Sequence, residues 1–466
     1  MNLIYKVNDR PPFARNLLYA FQQVLAIMAA TIAVPMIINS GTDPQTAMAP
    51  SAAMFGAGVG TIIYLLFTRF KSPVFLGSSF AFLGSMFAAF AGATTMATGY
   101  LGLILGAIFA GLVYVILAIV VKKVGVKWIS KLMPAVVIGP TVAIIGLSLA
   151  GNAVGDLMKG DAVTVVEGVE VSASPYVAII CGLITLFVTM LVSTYAPKKL
   201  KLIPFVIGIL CGYVAALFFT LIGIAAKVPE LQIIDFGPFK NLLTDGKVTA
   251  ETFIQFRDFT FLHAKNGFGN LSGKYILTIF VAYVPVAFVV FAEHIADHKN
   301  LSSIIGSDLL EDPGLSNTLL GDGVGSIGGA FFGGCPNTTY GESVGCVAIS
   351  GNASTWTILW AAIICLVISR FSPFVAFLDT IPSCVMGGVC IALYGFIAVS
   401  GLKMIQNVDL NKNRNLFVVS IILICGIGGM SLSFGEVTIT EVACALILGI
   451  IANVVLAKEK DDPEQK

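Results

Sequence analysis

Four ionisable side chains follow one another closely at the end of a long apolar stretch. An unbroken apolar run from Val286 to Ala292 leads into Glu293, His294, Asp297 and His298. Residues four apart share a helical face, so Glu293 and Asp297 lie on one face and the two histidines on the neighbouring one. A carboxylate facing lipid would cost about 2.5 kcal/mol or more, which indicates a functional role for Glu293. Solvent at a membrane boundary would explain Asp297 and His298 equally well.

A second stretch of unusual composition runs from Phe331 to Gly345. A proline, a run of polar side chains and the acid Glu342 interrupt apolar sequence there. In hydrocarbon every backbone N–H and C=O group needs a partner, so such a segment must be buried in protein or line a cavity. A short loop outside the membrane is the alternative. The stretch from Phe75 to Phe80 is interrupted in a similar way by Gly-Ser-Ser.

Two interrupted segments at corresponding positions indicate a binding site near the middle of a membrane. The half-helices that follow them would present unpaired N–H groups, and the positive end of the helix dipole, to an acceptor on a ligand. Those amides would come from Ser78, Ser79 and Phe80 on one side and from Tyr340, Gly341 and Glu342 on the other.

Glu293 and Glu342 could bind a ligand at such a site both when they are ionised and when they are protonated. An ionised carboxylate accepts hydrogen bonds from N–H donors, whereas a protonated carboxyl group can donate one. A site with two of them could recognise a ring with adjacent N–H and C=O groups while it exchanges protons between the two faces of a membrane. This is the chemistry of a proton-coupled carrier for a planar, neutral heterocycle.

Membrane-spanning helices are the elements that would position these residues. Hydrophobic residues make up 57% of the 466 residues, charged residues make up only 11%, and the mean hydropathy is +0.93. Windows of about 20 residues therefore predict an all-α integral membrane protein with about fourteen spans, of which the third and tenth are broken. The predicted spans lie near 16–38, 47–68, 74–92, 101–121, 133–150, 175–193, 201–226, 274–298, 315–332, 336–350, 354–371, 376–400, 415–433 and 438–457.

Basic residues gather on one side of the membrane in this scheme, as expected for cytoplasmic segments. They are Arg69, Lys71, Lys122, Lys123, Lys127, Lys131, Lys198, Lys199, Lys201, Lys299, Lys403, Lys412, Arg414, Lys458 and Lys460. The other side holds Asp156, Asp161, Glu167, Glu170 and the long connection 227–272, with Arg370 as an exception. We therefore predict a plasma-membrane protein, in a bacterium an inner-membrane protein, with both termini in the cytoplasm.

Two pairs of segments resemble each other at positions separated by roughly half the chain. Pro134–Gly139 in the fifth span resembles Pro382–Gly387 in the twelfth, and Phe75–Phe80 resembles Phe332–Asn337. Both pairs fall at equivalent places in a scheme of seven plus seven spans, which predicts two inverted seven-helix repeats. Chance similarity between glycine-rich apolar segments is the alternative.

Other classes of function find little support. His294 and His298 could bind zinc on one helix face, but the His-Glu-x-x-His order is absent, and none of the nine cysteines forms a Cys-x-x-Cys pair. A net charge of +1 offers no basic surface to nucleic acid. No repeated ring of charge or carbonyl-rich filter indicates a channel. We expect a carrier and not an enzyme, with no cofactor, no metal and no nucleic acid partner.

Several short motifs occur in one order along the chain. They are Phe75–Phe82, Ala292–Ile295, Asp312–Leu315, Pro336–Glu342, Val385–Gly388 and Tyr394-Gly395. Together they resemble the nucleobase/ascorbate transporter (nucleobase:cation symporter) family over nearly the whole chain, and most closely its bacterial uracil permease branch.

The resemblance implies a core domain of spans one to four and eight to eleven, which holds the substrate, and a gate domain of the other spans. The core would comprise 1–132 and 273–371, the gate 133–226 and 372–457, with an extracytoplasmic loop at 227–272 and a cytoplasmic tail at 458–466. It also implies that Glu293 and Glu342 bind a pyrimidine edge, that the amides of Phe80 and Gly341 donate to it, and that Tyr394 packs nearby. Purine-transporting members resemble each other in having Gln at position 342, so Glu342 favours a pyrimidine.

The sequence departs from the family pattern at four places, one of which is Ser350-Gly351, where Thr-Arg is common. Gln23 stands where the family often has His, Asp297 stands where the uracil branch has His, and Ser343 stands where Asn is usual. The coupling candidates are therefore Glu293, Asp297, Gln23 and His294. An added carboxylate makes Na⁺ an alternative to H⁺ as the coupling ion.

We predict secondary active uptake of uracil or a closely related pyrimidine, coupled to protons. The alternatives are a Na⁺-coupled carrier, a purine carrier for xanthine or urate and, from a different class, an anion exchanger or channel on the same fold. Membrane lipid is an expected partner. The apolar gate spans are compatible with a homodimer, although contact with lipid explains them equally.

Overall fold

The computed structural model describes residues 3–43, 46–125, 134–166, 169–198, 200–243, 247–255, 259–406, 408–434 and 437–458. Several predicted features lie outside the described residues. They are Lys127, Lys131, the domain boundary at 132–133, Glu167, Lys199, Lys460 and the rest of the tail after residue 458.

Helices form most of the described structure. In the first half of the chain they are α1 (Phe13–Gly41), α2 (Pro50–Phe67), α3 (Leu83–Ala91), α4 (Met96–Val124), α5 (Ala135–Ser148), α6 (Ala150–Leu157), α7 (Pro175–Tyr195) and α8 (Pro204–Ala226). The second half has α9 (Gly237–Lys240), α10 (Thr260–Ala264), α11 (Gly273–Ile305), α12 (Leu315–Gly333), α13 (Gly341–Ser350), α14 (Thr355–Ile368), α15 (Ser372–Asp379), α16 (Ser383–Met404), α17 (Asn413–Ile427) and α18 (Glu441–Val455). Short 3-10 or π turns lie at Phe80–Phe82, Leu200–Leu202, Pro229–Leu231, Ala250–Thr252, Lys265–Asn270, Leu310–Gly314 and Leu456–Lys458.

Three short antiparallel ribbons accompany the helices in the described parts of the chain. They pair β1 (Leu76–Ser78) with β4 (Asn337–Thr339), β2 (Val163–Val166) with β3 (Val169–Ser172), and β5 (Leu432–Phe434) with β6 (Val437–Ile439). The prediction of an all-α chain is therefore corrected to a mainly helical one. Three-residue and four-residue strands are too short to leave an alternating pattern in the sequence.

Eight helical segments of the described chain are long and apolar enough to cross a membrane. They are Phe13–Gly41, Pro50–Phe67, Met96–Val124, Ala135–Leu157, Pro175–Tyr195, Pro204–Ala226, Gly273–Ile305 and Ser383–Met404. Shorter apolar helices lie at Phe80–Ala91, Thr355–Ile368, Asn413–Ile427 and Glu441–Val455. Each predicted span overlaps at least one described helix, so the mainly helical membrane architecture is confirmed. The number fourteen and the inverted repeat stay predictions.

The two interrupted segments meet inside the protein and pair with each other. Leu76 lies opposite Thr339, and all six strand residues of β1 and β4 are buried. The ladder continues beyond the strands, because the Ser79 N–H donates to the Pro336 carbonyl at 2.9 Å and the Tyr340 N–H to the Phe75 carbonyl at 3.3 Å. Each segment thus supplies the backbone partners that the other needs in a water-poor interior. The two segments therefore form a buried ribbon and not an exposed loop.

Capping residues mark where helices α11 and α13 begin or end. The Ser272 side chain caps α11 by accepting from the Tyr275 N–H at 3.1 Å. Gly306 follows α11 with φ of 71° and Gly351 follows α13 with φ of 68°, a left-handed conformation that glycine adopts without the steric cost of a Cβ atom.

Glycines let helices α2 and α12 approach until their backbones touch. A Cβ atom built on Gly56 would lie 2.4 Å from the Gly329 carbonyl oxygen, and one built on Gly60 would lie 2.8 Å from the Gly325 carbonyl oxygen. Small residues are the usual means of close helix packing in membranes, because lipid provides no hydrophobic drive between helices. The Asn337 side chain of β4 donates to the Gly56 carbonyl of α2 at 3.1 Å, and β4 also contacts α12, so this helix pair lies directly behind the ribbon.

The helices pack in two groups. Helix α2 contacts α12 and α14, α4 contacts α11 and α12, and α1 contacts α14. In the other group α16 contacts α5, α6 and α7, while α5 contacts α17, α7 contacts α8 and α17 contacts α18. The β1–β4 ribbon belongs to the first group, where it packs against α1, α2 and α12.

Arg370 breaks the charge pattern because it is not a solvated loop residue. Its side chain is buried, with the guanidinium 4.5 Å from the Phe259 ring centroid and 5.1 Å from that of Phe55. Its Nη1 also donates to the Gln255 carbonyl at 3.4 Å. Arg370 thus holds part of the connection 227–272 against the helices, so its side chain carries no information on orientation.

Replacing Gly56 by alanine should destabilise the protein. The added methyl group has a backbone carbonyl at 2.4 Å that cannot move aside, and overpacking of this kind costs about 1–3 kcal/mol. Gly151→Ala is the control, because nothing lies within 4 Å of a Cβ at that position in α6. Melting temperatures in detergent should fall for Gly56→Ala and stay level or rise for Gly151→Ala. Equal melting temperatures would contradict the close helix contact.

Candidate functional site

A cavity of about 370 Å³ lies where the β1–β4 ribbon, α11 and the second group of helices meet. One wall carries the polar groups and is formed by Phe80, Glu293, Asp297, Thr338, Tyr340, Gly341 and Glu342. The opposite wall is mainly apolar and is formed by Val142, Ile145, Phe205, Leu393, Phe396, Ile397, Ser400 and Met404. The cavity therefore lies between the two packing groups.

Two helix N-termini open on the cavity. The 3-10 turn that leads into α3 begins at Phe80, and α13 begins at Gly341. The first N–H groups of a helix have no partner within it, and they carry the positive end of the helix dipole. The ribbon directly precedes both helices, so its pairing fixes where these donors lie. Helix α13 is ten residues long. The N–H groups at the two helix starts therefore form a preformed binding site for a hydrogen-bond acceptor.

Glu293, Asp297 and Glu342 share the cavity without a basic partner. Among the described residues, the salt bridges join Lys71 to Asp312, Lys159 to Asp156 and His294 to Asp322. Carboxylates that share a site repel one another when all are ionised, so they favour a bound proton, a cation or N–H donors from a ligand. The arrangement suits a ligand rich in N–H groups and opposes an anion.

Asp297 faces this cavity and has a protein partner. Its Oδ2 accepts a hydrogen bond from the Thr339 hydroxyl at 2.8 Å. Thr339 is the last residue of β4, so the contact ties α11 to the ribbon next to Glu342. Asp297 is thus a half-buried member of the polar wall, and solvation at a membrane boundary does not describe its surroundings.

The two tyrosines of the prediction have different positions. Tyr340 lines the cavity, and its hydroxyl donates to the Ser78 carbonyl at 2.7 Å across the ribbon. A Cβ atom on Gly77 would lie 2.3 Å from the Tyr340 ring, so glycine at that position makes room for it. Tyr394 lies behind the cavity surface, with its ring edge-on to Phe80 at a centroid distance of 6.0 Å.

Gln23 and His294 do not line the cavity. The Gln23 amide donates to the Ser343 hydroxyl oxygen, which also accepts from the Phe75 N–H at 2.9 Å. Gln23 therefore connects α1 to both interrupted segments from behind. His294 is fully buried and points to α12. Of the four predicted coupling residues, the structure brings Glu293 and Asp297 into the cavity and leaves Gln23 and His294 outside it.

Asp322 is a buried acid that sequence reasoning missed. Its Oδ2 lies 2.7 Å from His294 Nδ1, and both side chains are completely buried. His294 Nε2 lies 3.0 Å from the Thr318 hydroxyl, one turn earlier on α12. An acid within the apolar ninth span was visible in the sequence, and the rule that selected Glu293 would have selected Asp322 as well.

His298 continues this network away from the cavity. Its Nδ1 lies 2.7 Å from the His294 carbonyl oxygen, so this nitrogen carries the proton and Nε2 accepts from the Tyr64 hydroxyl at 2.6 Å. The two imidazole rings stack at 4.0 Å between centroids. In the described part of the chain, no group of three or more His, Cys, Asp or Glu residues could hold a metal ion.

A second cavity, of about 600 Å³, lies at the other end of α16. Its walls include Ser40 of α1 and Asp156 of α6, which are joined by a hydrogen bond from the Ser40 hydroxyl at 3.3 Å. Along α16, Cys390 borders this larger cavity and Leu393 borders the smaller one. The edge-on contact of Phe80 with Tyr394, one residue further along, thus lies close to the division between the two cavities.

Residues 14–434 match the model of a permease family, Xan_ur_permease. The chain belongs to this family. It is 35% identical over 456 residues to the uracil permease of Bacillus caldolyticus, an alignment that covers 97% of this chain and 94% of the relative. It is also 35% identical over 463 residues to the uracil permease of Bacillus subtilis, with 98% and 96% covered. Family and helices together identify a multi-pass membrane transporter.

The fold resembles that of a solved transporter with little sequence similarity. The transmembrane domain of the cyanobacterial bicarbonate transporter BicA aligns with a TM-score of 0.59 at 15% identity, covering 96% of this chain and 99% of that domain. At this level of identity the likeness concerns the fold alone.

Replacing Asp322 by alanine should destabilise the protein strongly. The change leaves a buried histidine N–H without its acceptor, and removing one partner of a buried pair costs about 3–5 kcal/mol. Asp322→Asn keeps an oxygen that accepts from His294 and should lose less. Melting temperatures in detergent should therefore fall in the order wild type, Asp322→Asn, Asp322→Ala. A wild-type melting temperature for Asp322→Ala would contradict the pairing.

Proposed function

We propose that the protein is a secondary active transporter that takes up uracil or a closely related pyrimidine. The observation that carries this proposal is the cavity in which two helix N-termini and two glutamates, Glu293 and Glu342, line one wall. The two relatives that are 35% identical over nearly the full chain are both named uracil permeases. Their names support the same substrate here.

The chemistry of the polar wall matches the edge of a uracil ring. That edge alternates N–H and C=O groups, so carboxylates can accept from the ring and backbone amides can donate to it. Glu293 and Glu342 are the proposed acceptors, and the Phe80 and Gly341 N–H groups are the proposed donors. The apolar side chains of the opposite wall would cover the ring faces, which makes the site selective for a flat, neutral molecule.

We assign the first packing group to a core domain and the second to a gate domain, within fourteen spans of two inverted repeats. The division of helix contacts into two groups supports this assignment. Pro134 and Pro382, from the segments that resemble each other, both stand at helix N-caps, those of α5 and α16. Helices α5 and α16 also pack against each other.

Movement of the core against the gate would expose the site to alternate sides of the membrane. The cavity has one wall on each group, so a shift between them opens or closes it. The same shift would separate Ser40 on the core from Asp156 on the gate. Cytoplasmic termini, as the basic residues predict, complete the proposal, and the apolar gate helices are compatible with a homodimer.

We favour protons as the coupling ion. Glu293 and Asp297 reach the cavity, and a carboxyl group can carry a proton without any further ligand. With Gln23 and His294 outside the cavity, Glu293 and Asp297 are the two predicted coupling residues that can titrate next to the substrate. Na⁺ held by the same carboxylates is the alternative. An anion exchanger finds no support in a cavity with three acids, and the likeness to a bicarbonate transporter concerns the fold alone.

Glu342→Ala should weaken uracil binding by at least about tenfold, because a hydrogen bond to a charged group contributes about 1.5–3 kcal/mol. Glu311→Ala, at an exposed position outside the cavity, is the matched control and should bind like the wild type. Isothermal titration of the purified protein with uracil measures both. Unchanged affinity in Glu342→Ala would remove Glu342 from the site.

Uptake should follow a pH gradient. Proteoliposomes that contain the purified protein should accumulate labelled uracil when the outside is made acidic, and an imposed Na⁺ gradient at equal pH should have no effect. Liposomes without protein are the control. Uptake that follows Na⁺ and ignores pH would reverse the assignment of the coupling ion, and xanthine or urate uptake in place of uracil would reverse that of the substrate.

A further inference from the structure

Of the three side chains of strand β4, that of Thr338 is the one whose polar group has no hydrogen-bond partner among the described residues. Asn337 donates to the Gly56 carbonyl at 3.1 Å, and Thr339 donates to Asp297 at 2.8 Å. Thr338 lies between them and is only 2% exposed, yet no group in the described structure forms a hydrogen bond with its hydroxyl. A buried hydroxyl without a partner is unfavourable, and most buried polar groups have one.

Thr338 is one of the residues that line the smaller cavity. Its partner in the ribbon is Gly77, and residues directly opposite in an antiparallel pair project on the same face. Gly77 has no side chain, and the ring of Tyr340 fills the space beside it. The Thr338 hydroxyl and the Tyr340 ring thus share the face of the ribbon that borders the cavity.

The polar wall lacks a side-chain donor when its carboxyl groups are ionised. Glu293, Asp297 and Glu342 then only accept hydrogen bonds, and the Tyr340 hydroxyl already donates to the Ser78 carbonyl. On that wall Thr338 holds a hydroxyl proton that no described protein group accepts. A ligand that enters the cavity can provide the missing acceptor.

We propose that Thr338 is a specificity-determining residue whose hydroxyl donates a hydrogen bond to a carbonyl oxygen of the substrate ring. The inference rests on the proposed function and adds a third donor to the two backbone amides. It gives the wall a side chain that distinguishes a ring C=O group from a group that accepts hydrogen bonds poorly. The alternative is that Thr338 serves the strand only through its β-branched shape, as valine would.

Binding of uracil, 2-thiouracil and 4-thiouracil to the full-length protein tests this proposal. Sulfur accepts hydrogen bonds poorly, so each analogue weakens one ring acceptor. The variants are Thr338→Val, which keeps the shape, and Thr338→Ser, which keeps the hydroxyl. Thr440→Val is the matched control, because Thr440 is another buried threonine whose hydroxyl has no partner among the described residues, and it lies outside the cavity. Thr338→Ala replaces Thr338→Val if the latter does not fold.

Thr338→Val should bind uracil about tenfold more weakly, equivalent to about 1.4 kcal/mol, while Thr338→Ser and Thr440→Val stay within about threefold of the wild type. One thio analogue should bind the wild type more weakly than uracil does, whereas Thr338→Val should bind that analogue and uracil with equal affinity. The position of the sulfur in this analogue identifies the carbonyl that Thr338 contacts. Wild-type affinity in Thr338→Val, or an equal loss for all three ligands, would overturn the proposal. If the wild type binds none of the three, the proposed function fails and this inference fails with it.

Discussion

The structure depends on one constraint, which is that backbone polar groups inside a membrane must find partners within the protein. Strands β1 and β4 meet it by pairing with each other, three residues against three. This pairing turns two interrupted spans into a single element. It also aligns the helix starts at Phe80 and Gly341 on one cavity, so the elements that interrupt the helices are the ones that build the site.

Neighbouring helices hold the ribbon and divide the polar residues of α11 between two environments. Helices α2 and α12 support the ribbon from behind, because their glycines let the two helices pack closely and Asn337 of the ribbon donates to the Gly56 carbonyl of α2. On α11, Glu293 and Asp297 face the cavity, while His294 contacts Asp322 and His298 contacts Tyr64. The buried histidine network thus fixes the rotation of α11, and this rotation presents both acids to a ligand.

Short-range patterns revealed much of this arrangement before the structure did. Apolar run lengths located the spans, the apolar run before Glu293 pointed to that acid, and the interruption of apolar sequence around Glu342 pointed to the second one. The pairing of β1 with β4 could not be predicted, because strands of three residues show no periodicity and the two segments come from different halves of the chain. For the same reason the sequence did not indicate that Gln23 contacts Ser343, that Asp322 faces His294, or that Arg370 is buried against aromatic rings.

The fold alone does not define the substrate, since a bicarbonate transporter domain shares it at 15% identity. The cavity and the ligand that it binds therefore define the function. A structure of the full-length protein with saturating uracil tests this directly. The ring should lie within hydrogen-bonding distance of the Glu293 and Glu342 carboxyl groups and of the Phe80 and Gly341 N–H groups. A ring bound elsewhere, such as in the larger cavity beside Ser40 and Asp156, with this cavity empty of ligand, would contradict the account.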